Sequence, residues 1–167
     1  MKKILTVLSV AVFISLGAYA KDIRIAVVDV GKVMTQSELG KKIKKEMEDK
    51  ISYYKKQIDK LQKKYEEIDK QLQNPVLSEE GKKKKEKEKQ DIQDKLRNIQ
   101  MQAAEELNRM KMEAEKKLSE KIEKVVKAYA KKHNIDLVLA KTPLTGIIYS
   151  SEKIDITDSI LKEMNKK

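Results

Sequence analysis

The apolar residues in the middle of this chain fall on two long stripes. From Ile51 onward they sit at Ile51, Tyr54, Ile58, Leu61, Tyr65, Ile68 and Leu72, with mostly charged or amide residues between them. Steps of three and four alternate, which is the heptad seam of a helix that packs along another helix. Upstream, Leu39, Ile43, Met47 and Ile51 step by fours, so the stripe drifts there. The second stripe runs through Ile92, Leu96, Ile99, Ala103, Leu107, Met110, Ala114, Leu118, Ile122, Val125 and Tyr129. In it Ile92, Ala103, Ala114 and Val125 recur every 11 residues. An 11-residue period favours a straight or slightly right-handed path over a tight left-handed coil.

The stops between and after these stripes are explicit. Asn74-Pro75 ends the first helix, because proline restricts its predecessor and lacks a donor. Ser78 can cap the second, with Glu79 and Glu80 in the first turn where the helix dipole favours acids. Lys131, Lys132 and His133 suit its last turn, and Asn134 suits the left-handed position that follows. The spacing therefore predicts an antiparallel hairpin over residues 39–133 with its tip near 74–78. At 1.5 Å per residue the first helix is roughly 50 Å long and the second roughly 80 Å. The surplus of the second should pack near whatever the chain ends build.

Those ends read differently. Residues 23–30, IRIAVVDV, form a β-branched run expected as a strand buried on both faces. Residues 136–140, DLVLA, and 146–150, GIIYS, are expected to make a hairpin around the loop KTPLTG at 141–146. Thr157 is expected to cap a short amphipathic helix with Ile160, Leu161 and Met164 on one face. At the N-terminus, Met1-Lys2-Lys3 precedes the apolar run Ile4–Gly17 and then Ala18-Tyr19-Ala20. This is the pattern of a secretory leader, with Ala18 and Ala20 as the small residues of the cleavage site. The run is shorter than the roughly 18–20 residues that a retained span needs. The expected organisation is a leader at 1–20, a β-rich body from 21–38 and 134–167, and a helical arm at 39–133.

Once the leader's Phe13 and Tyr19 are removed, five tyrosines are the only aromatic residues, and no cysteine is available for a disulfide staple. That is thin material for a one-chain core. Three short strands that are apolar on both faces leave open edges and an uncovered face. Pairing with other copies is the expected solution, carried by Ile25, Val27, Leu137, Leu139, Ile147 and Ile148. The tyrosines are expected to lie in the seams.

Motifs for catalysis are absent. Gly31-Lys32 follows a strand and invites a phosphate-loop reading, but the position five before Gly40 is Thr35 rather than the first glycine of that pattern, and no G-x-G-x-x-G occurs. His133 is the single histidine and reads as a partner for the helix C-terminus, so neither a metal site nor a cofactor is expected. The remaining signal is charge. The chain carries +11, and loss of Lys2 and Lys3 with the leader lowers this to +9. Residues 82–91, KKKKEKEKQD, concentrate that charge at the arm tip, with acid-first pairs expected at Glu79–Lys83 and Glu80–Lys84. Lys82, Lys83, Lys84, Lys85, Lys87 and Lys89 are the candidate contacts for acidic clients or an anionic membrane surface. A basic nucleic-acid binder would need a different compartment and aromatic stacking groups. A plain structural coiled coil at the envelope is the other alternative, and the β-prone ends argue against a simple rod.

IAVVDVGKVM at 25–34, DLVLA at 136–140, IIYS at 147–150 and DITDSILK at 155–162 resemble the Skp/OmpH family of periplasmic chaperones. The order of elements is similar too, over essentially the whole chain beyond the leader. The loop at 141–146 looks longer than is usual in that family. The resemblance implies a non-enzymatic homotrimer whose body is an intersubunit β-barrel and whose arms enclose a cavity. It implies a holdase that works without ATP on unfolded outer-membrane proteins. It supplies no positions for lipopolysaccharide, which stays a candidate partner.

Overall fold

The computed structural model describes residues 22–166, so the leader, with Ala18 and Ala20, lies outside the described residues. The order is β1 (Ile25–Val28), α1 (Val30–Gln36), α2 (Glu38–Leu72), α3 (Glu79–His133), β2 (Leu137–Ala140), a single 3-10 turn (Glu152–Ile154) and α4 (Thr157–Met164). Two helices of 35 and 55 residues form the arm, and everything else gathers at its base.

The helix boundaries of the arm fall where their caps dictate. Ser37 Oγ accepts the Gly40 N–H at 3.1 Å and starts α2. Ser78 Oγ accepts the Gly81 N–H at 3.2 Å and starts α3. Asn134 ends α3 at φ 53°, in the left-handed region, which asparagine tolerates better than most residues. Near the arm base Leu118 is buried, and further out the buried seam residues are Tyr54, Ile68 and Ile92. Most other seam positions are half-buried, and Ile51 is 49 % exposed.

The last turns of α3 enter the body, as the surplus length requires. Ile122 packs in one core with Val28, Val33, Ile160 and Met164, bordered by Val125, Val126, Tyr129 and Val138. Helix α1 was not expected from the sequence. Its start is set by Asp29, whose Oδ1 accepts the Lys32 N–H at 2.8 Å. The helix is needed to place Val33, which is fully buried. Burying an aliphatic side chain of this size is worth roughly 1.5–3 kcal/mol.

β1 and β2 pair in parallel, with Ile25 opposite Leu137 and Val27 opposite Leu139. The other edge of β1 takes a single bridge from Val27 to Asp155, and the Ile156 N–H donates to the Val27 carbonyl at 2.9 Å. Two expectations are corrected here. Residues 146–150 are not a strand among the described residues, so no hairpin follows β2. A tight turn at Thr142–Thr145 and Gly146 at φ 67° follow β2, and the segment beyond them leaves the second edge of β2 unpaired among the described residues. Thr157 does not cap α4, because Ile156 takes the cap position and the Asp155 carboxylate accepts the Thr157 N–H at 2.9 Å. Burial opposes ionisation of Asp155, yet the hydrogen bonds from Thr157 hold its carboxyl below the ordinary 3.8.

Candidate functional site

The body presents an apolar face that its own chain leaves open. In the sheet, Ala26 and Val28 alternate inward, while Ile25, Leu137 and Leu139 are 43, 46 and 40 % exposed. The segment after β2 adds Leu144, Ile148 and Tyr149, all exposed, and a half-buried Ile147. A soluble monomer rarely keeps so many large apolar side chains together in water. Val27 departs from the expected set. It is 3 % exposed, lies beside the 3-10 turn and Asp155, and belongs to the interior of its own chain. The hydroxyl of Ser150 is buried without a hydrogen-bond partner among the described residues. It sits directly beyond the exposed Ile148 and Tyr149.

The arm tip is an ordered helix. Lys82 pairs with Glu79 at 2.9 Å and Lys85 with Glu88 at 2.8 Å, both one turn apart. These replace the expected Glu79–Lys83 and Glu80–Lys84 pairs. Lys83, Lys84 and Lys87 are exposed and have no ion pair within 4 Å among the described residues. Lys89 has a different role from its neighbours. It crosses to α2, pairs with Asp69 and lies 4.8 Å over the Tyr65 ring, which places its ammonium on the negative face of the π-system. Gln93 donates to the Tyr65 hydroxyl at 3.1 Å. The hairpin has no apolar seam residue from Lys82 to Asp91, so this polar clasp zips it instead.

A second clasp lies halfway down. The Tyr54 hydroxyl bonds Glu106, and Lys50 pairs with the same carboxylate at 2.9 Å. The Tyr54 hydrogen bond and then Lys50 hold the Glu106 carboxyl below its ordinary value. The same hydrogen bond pushes the Tyr54 phenol up. Two tyrosines lie outside the seams and the core, against expectation: Tyr53 and Tyr149 are 54 and 81 % exposed. His133 is in the last turn of α3 and stacks on Tyr129 with ring centroids 4.1 Å apart. No group of three or more His, Cys, Asp or Glu that could hold a metal occurs among the described residues. None of their helices is long and apolar enough to cross a membrane.

Sequence reasoning missed one further surface, on α3. Between Lys95 and Lys111 the chain has no lysine, and this window holds two of its three arginines, Arg97 and Arg109. Met101 in the window and Met112 just beyond it are 60 and 58 % exposed. Both lie off the 11-residue stripe, at positions where the arm is otherwise mostly polar, and this was the available signal.

These features define a class of protein: a long two-helix arm carried on a small α/β body with an open apolar sheet face. The chain belongs to the OmpH-like outer membrane protein family, whose family model matches residues 24–164. A protein of Aquifex aeolicus (strain VF5), described only as uncharacterized, is 36 % identical over 141 residues, covering 84 % of this chain and 85 % of that one. A crystal structure from Caulobacter crescentus CB15, described as a candidate outer membrane chaperone (OmpH-like), superposes with a TM-score of 0.75. It covers 86 % of this chain and 84 % of that one at 10 % identity, a likeness of fold alone.

Proposed function

We propose that this protein is a periplasmic holdase chaperone, exported by its leader and working without ATP on unfolded outer-membrane proteins. The observation that carries the reading is the open apolar face of the body, Ile25, Leu137, Leu139 and Ile148, at the root of an arm that is otherwise solvated. Self-association through that face, with Ile147 alongside, gives a homotrimer with three arms pointing one way. The space between the arms is the client cavity. Membership of the OmpH-like family and the fold shared with the Caulobacter protein support this reading.

Confinement by many weak contacts needs no enzymatic step and no cofactor. Without the leader's two lysines, a net charge of +9 attracts acidic segments and the anionic membrane surface, lipopolysaccharide included, over about a Debye length, roughly 8–10 Å at physiological salt. Lys83, Lys84 and Lys87 are the exposed cations of this rim, with Lys82 and Lys85 beside them. A structural spacer would share the arms but would hold no client. Dilution of a urea-unfolded outer-membrane β-barrel into the purified trimer tests the reading. Suppression of light scattering at stoichiometric trimer supports it, and unchanged aggregation at low salt contradicts it.

A further inference from the structure

Between its two clasps the arm carries a band of unopposed positive charge. Tyr54 bonds Glu106 and Gln93 bonds Tyr65, so residues 55–64 of α2 run alongside residues 95–104 of α3. Residues 55–64 hold five lysines, Lys55, Lys56, Lys60, Lys63 and Lys64, and one acid, Asp59. Residues 95–104 hold Lys95, Arg97 and no acid. All seven cations are exposed, and none has an ion pair within 4 Å among the described residues. The tip differs, because the six lysines of residues 79–91 are interleaved with five acids.

The band has sharp ends. Glu66, Glu67, Asp91 and Asp94 follow it toward the tip, and Glu105 and Glu106 follow it toward the body. Glu88 lies further out, and Lys85 first, then Lys84 and Lys64, hold its carboxyl below the ordinary 4.5. The band is roughly 15 Å long, the reach of about four or five residues of extended chain. Within it Lys56, Lys60 and Lys64 recur at every fourth residue, an axial step of roughly 6 Å. An extended polypeptide repeats its side chains on one face about every 6.6 Å. Carboxylates at alternate positions therefore keep step with these lysines. The cleft between the helices is lined there by Lys60, Lys64, Lys95 and Asn98, with the half-buried Leu61 and Ile99.

We propose that this mid-arm band, rather than the lysine-rich tip, is the arm's main docking surface for short stretches of unfolded polypeptide with carboxylates at alternate positions. Charge complementarity selects this occupant. Seven unpaired cations stand against one acid within the band, and the acids at both ends repel a longer anionic run. Lys56, Lys60, Lys63 and Lys64 meet the carboxylates, and Lys95 closes on them from the other helix. Asn98 offers a donor and an acceptor to unpaired peptide groups. A flat membrane met by the tip lies roughly 20 Å from Lys60, more than about two Debye lengths at physiological salt, so the band serves a flexible chain. The inference rests on the holdase reading and locates its electrostatic contact.

The test compares the exported wild-type chain with K56Q/K60Q/K63Q/K64Q, K56R/K60R/K63R/K64R and K82Q/K83Q/K84Q/K85Q. Fluorescence anisotropy at low salt measures binding of a labelled peptide with aspartate at alternate positions. Capture of a urea-unfolded outer-membrane β-barrel is measured alongside. Peptide binding should weaken roughly tenfold or more in the mid-arm glutamine variant, roughly threefold or less in the tip variant, and stay near wild type in the arginine variant. A tip variant weakened as much as the mid-arm variant overturns the inference. So does a wild type that binds no such peptide, and capture of the β-barrel then leaves the holdase reading intact. No capture of the β-barrel by wild type overturns both. A mid-arm glutamine variant that keeps the peptide but loses binding to phosphatidylglycerol vesicles overturns the inference in favour of a lipid surface. A changed mass by light scattering in that variant overturns it in favour of a contact between copies.

Discussion

The hydroxyl of Thr157 accepts the backbone N–H of Asp29 at 2.9 Å, joining two residues 128 positions apart in the chain. Thr157 is 3 % exposed. Asp29 in turn caps α1, and the neighbouring Asp155 carboxylate caps Thr157. One short relay therefore ties β1, α1 and α4 into the base on which the arm stands.

Thr157→Val keeps the shape and removes the acceptor, so it strands the Asp29 N–H. The expected loss is roughly 1–3 kcal/mol, read as a lower urea midpoint at fixed protein concentration. Thr157→Ser restores the oxygen and should recover most of it. Equal midpoints for wild type and Thr157→Val would show that the relay holds nothing together.

Two glycines separate conformational need from composition. A Cβ on Gly40 would lie 1.7 Å from the Met34 carbonyl oxygen, which is backbone and cannot swing aside. Gly40→Ala should force α1 and α2 apart at the arm base and cost about 3 kcal/mol. A Cβ on Gly31 would meet Asp29 Oδ1 at 3.4 Å, an ordinary contact. Gly31→Ala should change stability by less than about 1 kcal/mol. Thermal unfolding of both variants checks the order, and a Gly31 variant as damaged as the Gly40 variant would contradict it.

The mid-arm clasp makes a pH prediction. The Glu106 carboxyl titrates below its ordinary 4.5, held there first by Tyr54 and then by Lys50. Its contribution is therefore full above about pH 4.5 and is lost as the pH falls through the folded value. Helicity followed by circular dichroism should fall in acid for wild type, with other carboxylates contributing. Glu106→Gln should be less stable near neutrality and show a smaller acid-linked drop. An unchanged acid limb in that variant would rule out the clasp as a source.

Replacing Lys82–Lys85 with glutamine should weaken client capture at low salt and leave helicity intact. The pairs lost, Lys82–Glu79 and Lys85–Glu88, are on the surface, and such pairs contribute little. The difference from wild type should vanish near 1 M salt, where the Debye length is about 3 Å. A loss of equal size at every salt would mean that the rim does not act through its charge.

Much of the arm was legible because its signals are local. Ser78, Asn134 and the Asn74-Pro75 stop act on their own neighbours, and α3 begins and ends where they direct. What escaped depends on contacts across the chain. Lys89 looked like one more solvated lysine, yet Asp69 and Tyr65 on the other helix claim it. Thr157 looked like a cap, and its hydroxyl instead serves Asp29. Val27 has the same character as Ile25, but only its own edge of β1 is covered by the turn at Asp155. The segment 147–150 has β-branched residues suited to a strand, yet it leaves the second edge of β2 unpaired.

The central claim is that the open face of Ile25, Leu137, Leu139 and Ile148 closes against copies of itself and sets the arms around a cavity. Light scattering combined with small-angle X-ray scattering on the exported chain tests it most directly. The expected result is the mass of three chains and a profile with a hollow between extended arms. A single-chain mass across the micromolar range would contradict it.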